Sequence, residues 1–383
     1  MSLRPAIPDL ETLRQRTSVK WTAYPDDVLP MFIAEMDFPL APVVADAIIA
    51  RVQESDLGYA GDSGSAAAAF AGFAQRRWGW QVAPDDVSLT TDVSVVLVEA
   101  LRVAIAPGDG VIVMPPIYPP FFEIVPEAGG RVVEVPLTHD DAGWRLDLAG
   151  IEAALGAGAT AILLCHPHNP LGLVHADAEL AALAELAAAH GATVISDEIH
   201  APLVYPGVGF TPFLDVSDTA RQVGIAAHSA SKAFHIAGAK CAMSVVASEP
   251  MRALIARQPE EVRYRTSILG RAATEAAFTD GDDWLDDTLA RIVANRDLLD
   301  RLVAERLPGV LVHRPSASYL AWLDFRATGL GDNPAGPILD RGRVALHRGP
   351  DFGAAGNGFA RLNFGCSPEM LTEAIDRIAD VIG

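Results

Sequence analysis

Polar or aromatic side chains follow five short apolar runs in this sequence of 383 residues. Each run has the length and composition of a buried strand. In an open parallel sheet, ligands bind beyond the carboxyl ends of the strands, so groups at those ends can converge on one site. The sequence therefore predicts a convergent polar site. The five polar ends are Thr91-Asp92-Val93-Ser94, Pro115-Pro116-Ile117-Tyr118, His166-Pro167-His168-Asn169-Pro170, Asp197-Glu198-Ile199-His200 and His228-Ser229-Ala230-Ser231-Lys232.

Lys232 is the residue of this set with the sharpest chemical interpretation. A helix is predicted to begin after it, over residues 233–236, and a cation there opposes the helix dipole unless an anion lies nearby. A phosphate held by Ser229, Ser231 and the free N–H groups would remove this conflict. A solvated lysine in a turn is the alternative that position alone leaves open.

Asp197 and Arg361 are charged residues on apolar strands. A carboxylate buried at Asp197 needs a cationic partner, which a ligand site, an interdomain salt bridge or a helix N-cap would explain. A guanidinium at Arg361 requires a carboxylate. Asn169 and Tyr118 are neutral candidates for the site, and each could have a purely structural role instead. Asn169 can shape a turn, and Tyr118, which is flanked by prolines, can be a packed core aromatic.

The elements that must position these residues alternate between strand and helix from about residue 85 to 246. This alternation is typical of a parallel sheet wrapped by crossover helices, and continuous apolar runs indicate strands buried on both faces. Helices are predicted at Val95–Ala106 and Ala178–His190. The predicted strands are Val87–Thr90, Val111–Met114, Val132–Val135, Ala161–Cys165, Thr193–Ser196, Val223–Ala227 and Met243–Val246.

The pattern changes after residue 250, where helices dominate and only two strands are predicted. The fold class expected is α/β: a three-layer α/β/α large domain with a mostly parallel seven-stranded sheet, plus a smaller α+β domain. The large domain is predicted over residues 40–255, and the small domain from residues 1–39 and 256–383. The later elements are helices Ser267–Phe278, Trp284–Arg306 and Pro368–Ile382 with strands Ser318–Asp324 and Arg361–Phe364.

Composition excludes several classes of function. The net charge of −20 disfavours nucleic acid, and the absence of a run of about 18 apolar residues disfavours a membrane span. The three cysteines, Cys165, Cys241 and Cys366, are widely spaced without a metal-ligand pattern, so neither a disulfide framework nor a metal site is predicted. The N-terminal residues do not read as a leader, and a cytoplasmic protein is expected.

Seven segments together resemble fold-type-I enzymes that use pyridoxal 5'-phosphate (PLP), the aminotransferase class I/II superfamily. Within it, the sequence is most similar to the cystathionine β-lyase or cysteine C–S lyase group of the MalY/PatB type. The resemblance runs from about residue 20 to the end. It is carried by Ala34-Glu35-Met36-Asp37-Phe38, Leu57-Gly58-Tyr59, Pro116-Ile117-Tyr118-Pro119-Pro120-Phe121, Pro167-His168-Asn169-Pro170-Leu171-Gly172, Ser196-Asp197-Glu198-Ile199-His200, Ser229-Ala230-Ser231-Lys232-Ala233-Phe234 and Arg361-Leu362-Asn363-Phe364.

The resemblance implies a role for each residue that would contact the cofactor ring. Lys232 would form a Schiff base with the cofactor and later remove the substrate Cα proton. Asp197 would pair with the ring nitrogen. Asn169 would donate to the ring hydroxyl with His200 nearby, and Tyr118 would stack on the ring.

Other roles implied by the resemblance concern the phosphate and the substrate. Arg361 would bind the substrate carboxylate, with Tyr118 and Asn169 beside it. Tyr59 would reach the phosphate of a neighbouring subunit, which implies a homodimer with a small amino acid as its substrate. The phosphate of the same subunit would contact Val93, Ser94, Ser229 and Ser231.

Two residues depart from the pattern of the family at the phosphate. Asp92 stands where the family often has glycine, and it would place an anion near the phosphate unless its side chain caps the helix. Lys240 stands where many aminotransferases have a phosphate-binding arginine, so a point charge would replace a bidentate contact.

The function that the resemblance implies is β-elimination from cystathionine, cysteine or a related S-substituted cysteine, yielding a thiol, pyruvate and ammonia. Transamination by the same residues is the alternative enzyme activity. A regulatory or binding module on the same fold is an alternative of another class, against which the complete set of polar residues argues.

Overall fold

A computed structural model describes residues 7–61, 64–140 and 143–383. Its centre is a seven-stranded sheet in the order β1-β7-β6-β5-β4-β2-β3. Strand β7 is antiparallel to both of its neighbours, and every other pair is parallel. The strands are β1 (Val87–Thr90), β2 (Gly110–Val113), β3 (Arg131–Glu134), β4 (Ala159–Cys165), β5 (Thr193–Asp197), β6 (Gly224–His228) and β7 (Ala242–Val245).

All seven predicted strands of this sheet are confirmed, with small shifts at their ends. The three central strands, β4, β5 and β6, are almost wholly buried, as their continuous apolar runs predict. Strand β6 begins at Gly224 because Val223 closes the preceding helix. The register pairs Cys165 with Asp197, and Asp197 with Ala227, so these three strands end at the same level.

Helices cover both faces of the sheet, and each face has its own cluster of buried apolar side chains. The sheet is therefore the middle layer of the predicted α/β/α arrangement. The longer helices are α1 (Pro42–Gln53), α2 (Gly64–Trp78), α3 (Val93–Ala104), α4 (Phe121–Glu127), α5 (Leu148–Gly156), α6 (Asp177–Ala189), α7 (Asp218–Val223), α8 (Glu249–Ile255), α9 (Ile268–Asp280), α10 (Asp282–Arg306) and α11 (Pro368–Ile382). Shorter helical segments are Leu10–Leu13, Val19–Thr22, Glu261–Tyr264 and Ala335–Pro337.

A four-stranded antiparallel sheet forms a second layer of strands after residue 310. Its order is β8-β9-β11-β10, with β8 (Leu311–His313), β9 (Leu320–Asp324), β10 (His347–Arg348) and β11 (Phe359–Asn363). Helix α11 packs an apolar stripe inward, and the Ser367 side chain accepts a hydrogen bond from the Met370 N–H at its start. The helices and strands predicted for this region are confirmed.

The N-terminal segment is attached to this second sheet. Strand Leu29–Pro30 pairs in parallel with Val344–Ala345, and the Asn363 side chain donates 2.7 Å hydrogen bonds to the carbonyls of Ile33 and Glu35. A remaining short pair, Thr138–Asp140 with Gly143–Arg145, lies outside both sheets. Among the described residues, no helix has the length and apolar character needed to cross a membrane.

Candidate active site

Lys232 is partly buried in the turn that follows β6. Its Nζ donates a 2.9 Å hydrogen bond to the backbone carbonyl of Ala34 in the N-terminal segment. Burial, with the positive charge of Arg361 as the second cause, lowers the pKa of Lys232 to about 8. About a tenth of the amine is therefore uncharged at pH 7, and this uncharged form is the one that acts as a nucleophile or a base.

The protein has three lysines, and all three lie in the described part of the chain. Lys20 forms a buried salt bridge of 2.8 Å with Asp37, and Lys240 forms a partly exposed salt bridge of 3.0 Å with Asp92. Lys232 alone has a carbonyl rather than a carboxylate as its hydrogen-bond partner. Of the three amines, it is the one available for chemistry.

The prediction that a helix begins after Lys232 is wrong. The backbone makes a single turn in which the Phe234 N–H bonds the carbonyl of Ala230, and His235 then adopts a left-handed φ of 58°. This conformation ends the turn, and a short 3-10 segment follows only at Ala237–Ala239. The dipole conflict expected at Lys232 therefore does not arise.

Asp197 is the last residue of β5 and is 4% exposed. Its Oδ1 accepts a 3.1 Å hydrogen bond from the Ile199 N–H. Burial raises the pKa of Asp197 to about 6, an effect opposed by that hydrogen bond and by the charge of Lys232. The cationic partner expected from the sequence is thus present as a nearby charge, while no salt bridge to Asp197 is found within the described residues.

Arg361, on β11, is buried among neutral acceptors. Its Nη1 donates to Asn169 Oδ1 at 2.8 Å, and its Nη2 donates to the Phe32 carbonyl at 2.9 Å and to His347 Nδ1 at 3.0 Å. Burial lowers the pKa of His347 to about 3, so this imidazole is a neutral acceptor. The carboxylate expected from the sequence is not found in the described part of the chain, and the guanidinium keeps a buried Nε without a partner.

This arrangement leaves Arg361 suited to an external anion. Burial lowers the pKa of Arg361 to about 10, and the group still carries its charge at neutral pH. A buried guanidinium is stabilised most by a carboxylate that it can grip with two N–H groups. The hydrogen bond to Asn169 joins β11 to the loop after β4, so the two sheets meet at this point.

Two further predicted residues surround this charged centre. Burial, followed by the negative charge of Asp197, raises the pKa of Tyr118, so its phenol stays neutral. Burial, with the charges of Lys232 and Arg361, lowers the pKa of His200 to about 3. His200 is therefore a neutral imidazole with a buried Nδ1 that has no hydrogen-bond partner in the described structure.

Hydroxyl and N–H groups lie in the turn after β6 and at the start of helix α3. The Ser229 hydroxyl lies 2.7 Å from that of Ser231 and also donates to the Cys241 carbonyl at 2.7 Å. Helix α3 begins at Val93, which is buried, and Ser94 follows it at the surface. The first N–H groups of a helix have no intrahelical acceptor and favour an anion.

Tyr59 stands apart from the other predicted residues because it is 94% exposed. Other large apolar side chains of this part of the surface are also exposed, including Leu57 at 51% and Tyr264 at 54%. A cavity of about 580 Å³ lies beside them, lined by Ala60 and Tyr264 among others and by none of the catalytic candidates. Tyr59 thus contributes to a surface and not to the buried site of its own chain.

Sequence reasoning missed the groups that the N-terminal segment and the second sheet contribute. The Ala34 carbonyl accepts from both Lys232 Nζ and the Tyr319 hydroxyl, the latter at 3.0 Å. The Phe32 carbonyl and His347 accept hydrogen bonds from Arg361. Backbone carbonyls carry no sequence signal, although Ala34 lies in a segment on which the resemblance already rests.

The site combines four chemical functions. It has a partly buried amine that is in part neutral, a buried carboxylate, a guanidinium that lacks an anion, and a cluster of hydroxyl and N–H donors. An aldehyde, a ring nitrogen that carries a proton, a carboxylate and a phosphate would each complement one of these groups. A phosphorylated aldehyde with a ring nitrogen, together with an amino acid, carries all four of these complementary groups.

Comparisons with known proteins agree with this reading. Residues 27–378 match the family described as aminotransferase class I and II. The chain is 44% identical to a Mycobacterium leprae protein assigned as a cystathionine beta-lyase, over 96% of each chain. It is 38% identical to the cystathionine beta-lyase of Corynebacterium glutamicum, over 98% of this chain and 99% of that one. A structure from Corynebacterium diphtheriae, assigned as a PLP-dependent β-cystathionase, superposes with a TM-score of 0.93 at 38% identity, covering 98% of each chain.

Proposed function

Because the chain belongs to the aminotransferase class I and II family, we propose that it is a PLP-dependent carbon–sulfur β-lyase. Its substrates are cystathionine, cysteine or a related S-substituted cysteine, and its products are a thiol, pyruvate and ammonia. The observation that carries the proposal is the amine of Lys232, which has no carboxylate partner in the described structure and whose pKa is lowered by burial and by the charge of Arg361. Relatives that bear the name cystathionine beta-lyase support the choice of reaction.

The residues present fit PLP. The amine of Lys232 suits the aldehyde of the cofactor, and the buried carboxylate of Asp197, which has no cation bound to it among the described residues, suits a protonated ring nitrogen. Asn169 and His200 would lie toward the ring hydroxyl, and Tyr118 toward the ring face. The phosphate would be held at the start of α3 and by Ser229 and Ser231.

When bound, PLP supplies an aldehyde that condenses with amines and a ring that draws electrons away from the substrate Cα. Arg361 binds the substrate α-carboxylate and so orients the Cα–H bond. Lys232 Nζ takes the proton from Cα in its neutral form, which its lowered pKa makes more abundant. Loss of that proton allows the Cβ–S bond to break with the electron pair leaving on sulfur. Addition of one water to the remaining fragment then yields pyruvate and ammonia.

Asp197 would sustain this chemistry by stabilising a proton on the ring nitrogen. Its pKa of about 6 keeps the carboxylate largely ionised at neutral pH, and an ionised carboxylate stabilises a cationic ring. The Ile199 N–H holds the carboxylate in place. Tyr118 stays a neutral phenol and covers the site without adding charge.

The test is to incubate the purified protein with cystathionine and to assay pyruvate without any added keto acid. Pyruvate at a rate proportional to enzyme is the expected result. If pyruvate or another keto product forms only when a keto acid acceptor is supplied, the enzyme is an aminotransferase and the lyase proposal fails. A Lys232→Ala protein serves as the control for background hydrolysis.

We further propose that the active enzyme is a homodimer in the cytoplasm, with Tyr59 reaching the partner's cofactor phosphate. The exposure of Tyr59 and its apolar neighbours supports the dimer. Three buried, free cysteines support a reducing compartment. The proposed domains, 40–255 and the combination of 1–39 with 256–383, are supported by the two separate sheets and by the pairing of Leu29–Pro30 with Val344–Ala345.

A further inference from the structure

We propose that Asp92 and Lys240 act as one charge-neutral unit at the phosphate end of the site. In this proposal, which rests on PLP being the cofactor, Lys240 serves mainly to cancel the charge of Asp92. The phosphate itself is then held by the hydroxyls of Ser229 and Ser231 and by the N–H groups at the start of α3. Both residues depart from the pattern of the family, and the structure joins them.

The strand register explains why these two residues meet. Strands β1 and β7 are antiparallel neighbours, with Thr90 opposite Ala242. Asp92 lies two residues after Thr90, and Lys240 lies two residues before Ala242, so continuing the ladder places them face to face. Their side chains form a salt bridge of 3.0 Å between Nζ and Oδ1.

The same corner contains the residues expected at the phosphate. Strand β7 also pairs with β6, with Met243 opposite His228, and the Ser229 hydroxyl donates to the Cys241 carbonyl. Asp92 is close enough to the centre of the site for its negative charge to raise the pKa of Lys232, although burial dominates and lowers it overall. The negative charge of Asp92 would therefore also repel an anion, such as a phosphate, bound in this corner.

Asp92 does not use its charge to cap the helix. It occupies the N-cap position of α3, yet its side chain accepts no hydrogen bond from the first turn. The N–H groups of that turn remain available for an external anion. Without Lys240, a phosphate bound there would meet an uncompensated carboxylate, since like charges at close range repel.

Lys240 is poorly placed to act as a dedicated phosphate ligand. It has a left-handed φ of 64°, its side chain is 54% exposed, and its Nζ is already bound to Asp92, whose side chain is 32% exposed. The expected consequence is strong coupling between the two residues, because the carboxylate of Asp92 is tolerated beside a phosphate only while Lys240 cancels its charge.

The experiment is a double-mutant cycle read as the dissociation constant of PLP, measured by equilibrium dialysis with apoprotein. We expect Lys240→Met to weaken PLP binding by about tenfold or more, and Asp92→Asn to tighten it by about threefold. Asp92→Asn with Lys240→Met should return the constant to within about threefold of wild type. Binding of pyridoxal, which lacks the phosphate, should be the same in all four proteins.

Three results would overturn the proposal. If the double variant binds PLP as weakly as Lys240→Met, Lys240 is a direct phosphate ligand; if Asp92→Asn alone weakens binding by more than threefold, Asp92 holds Lys240 for the phosphate. If pyridoxal binding changes in parallel with PLP binding, the effect is not at the phosphate. A matched control removes the exposed salt bridge between Asp27 and Arg343, which should leave PLP binding unchanged. Wild-type protein that fails to bind PLP at all would instead refute the proposed function.

Discussion

The guanidinium of Arg361 lowers the pKa of the Lys232 amine, although the two residues come from different sheets and lie 129 positions apart in the sequence. Burial is the larger cause, and the two together bring the pKa of Lys232 to about 8. The group that is proposed to bind the substrate carboxylate thus also keeps the proposed base partly neutral. Binding and proton transfer are coupled through one charge.

This coupling predicts how the reaction of apoprotein with PLP depends on pH. The neutral amine is the reactive form, so the rate of PLP capture, followed by absorbance, should rise with pH and level off above about 8. In Arg361→Met the positive charge is removed, the pKa of Lys232 rises, and the curve should shift to higher pH. An unshifted curve would show that Arg361 does not act on Lys232. Arg326→Met, which changes an exposed arginine, is the control.

Replacing Lys232 should stabilise the apoprotein, because burial penalises a charged amine. The pKa is about 8 in the folded state against 10.5 for an unperturbed lysine, so below pH 8 the folded state carries a penalty of up to about 3 kcal/mol. This penalty shrinks as the pH rises from 8 to 10.5. In that interval the amine has lost its proton in the folded state but still holds it in the unfolded chain. Lys232→Met apoprotein should therefore have a higher Tm than wild type at pH 7, with a difference that narrows toward pH 10. A lower Tm at pH 7 would contradict this account.

Arg361 should determine substrate binding and leave the cofactor in place. Leaving the substrate carboxylate in a buried site without its cationic partner costs about 3–5 kcal/mol, so Arg361→Ala should reduce kcat/KM by about two to four orders of magnitude. Arg361→Lys keeps the charge but loses the forked geometry, and its loss should be smaller. The PLP content of both variants should match that of wild type. Kinetics close to wild type in Arg361→Ala would mean that this guanidinium is structural.

Asp197 should act through its charge and not through its shape. In Asp197→Asn the amide oxygen can still accept from the Ile199 N–H, so the local hydrogen bond is preserved while the negative charge is lost. The cofactor ring then loses its ionic partner, and kcat should fall by about a hundredfold or more. The measurement is kcat with cystathionine on protein whose PLP content has been determined. A kcat within about threefold of wild type would rule out the proposed role of this carboxylate.

Tyr59 offers a test of the proposed dimer. If its hydroxyl serves the partner's site, mixing inactive Lys232→Ala chains with Tyr59→Ala chains creates heterodimers in which one site has both native residues. Random mixing should restore up to about a quarter of wild-type activity, since half of the dimers are mixed and each has one intact site. If the mixtures are no more active than the two variants alone, Tyr59 does not contribute to the active site of a partner chain. Sedimentation of each variant checks that dimers form.

Much of the fold was predictable because its signals are local. The central strands of this sheet are short apolar runs, and burial on both faces removes the need for alternation, so each could be located from composition alone. The carboxyl ends of parallel strands share one edge, which brings Asn169, Asp197 and Lys232 to the same place. A local signal also misled: residues 233–236 have a helical pattern, but His235 in a left-handed conformation allows only one turn.

The sequence by itself determined which residues carry the chemistry: a lysine, an aspartate and an asparagine after successive strands, and an arginine on an apolar strand. Tertiary structure decided what each of them meets. It gave Lys232 the carbonyl of Ala34, surrounded Arg361 with neutral acceptors, and paired Asp92 with Lys240 across 148 positions. These contacts depend on the register of the strands and on the position of the N-terminal backbone segment. Both are set by tertiary structure, so the sequence around the contacting residues does not predict which of them meet.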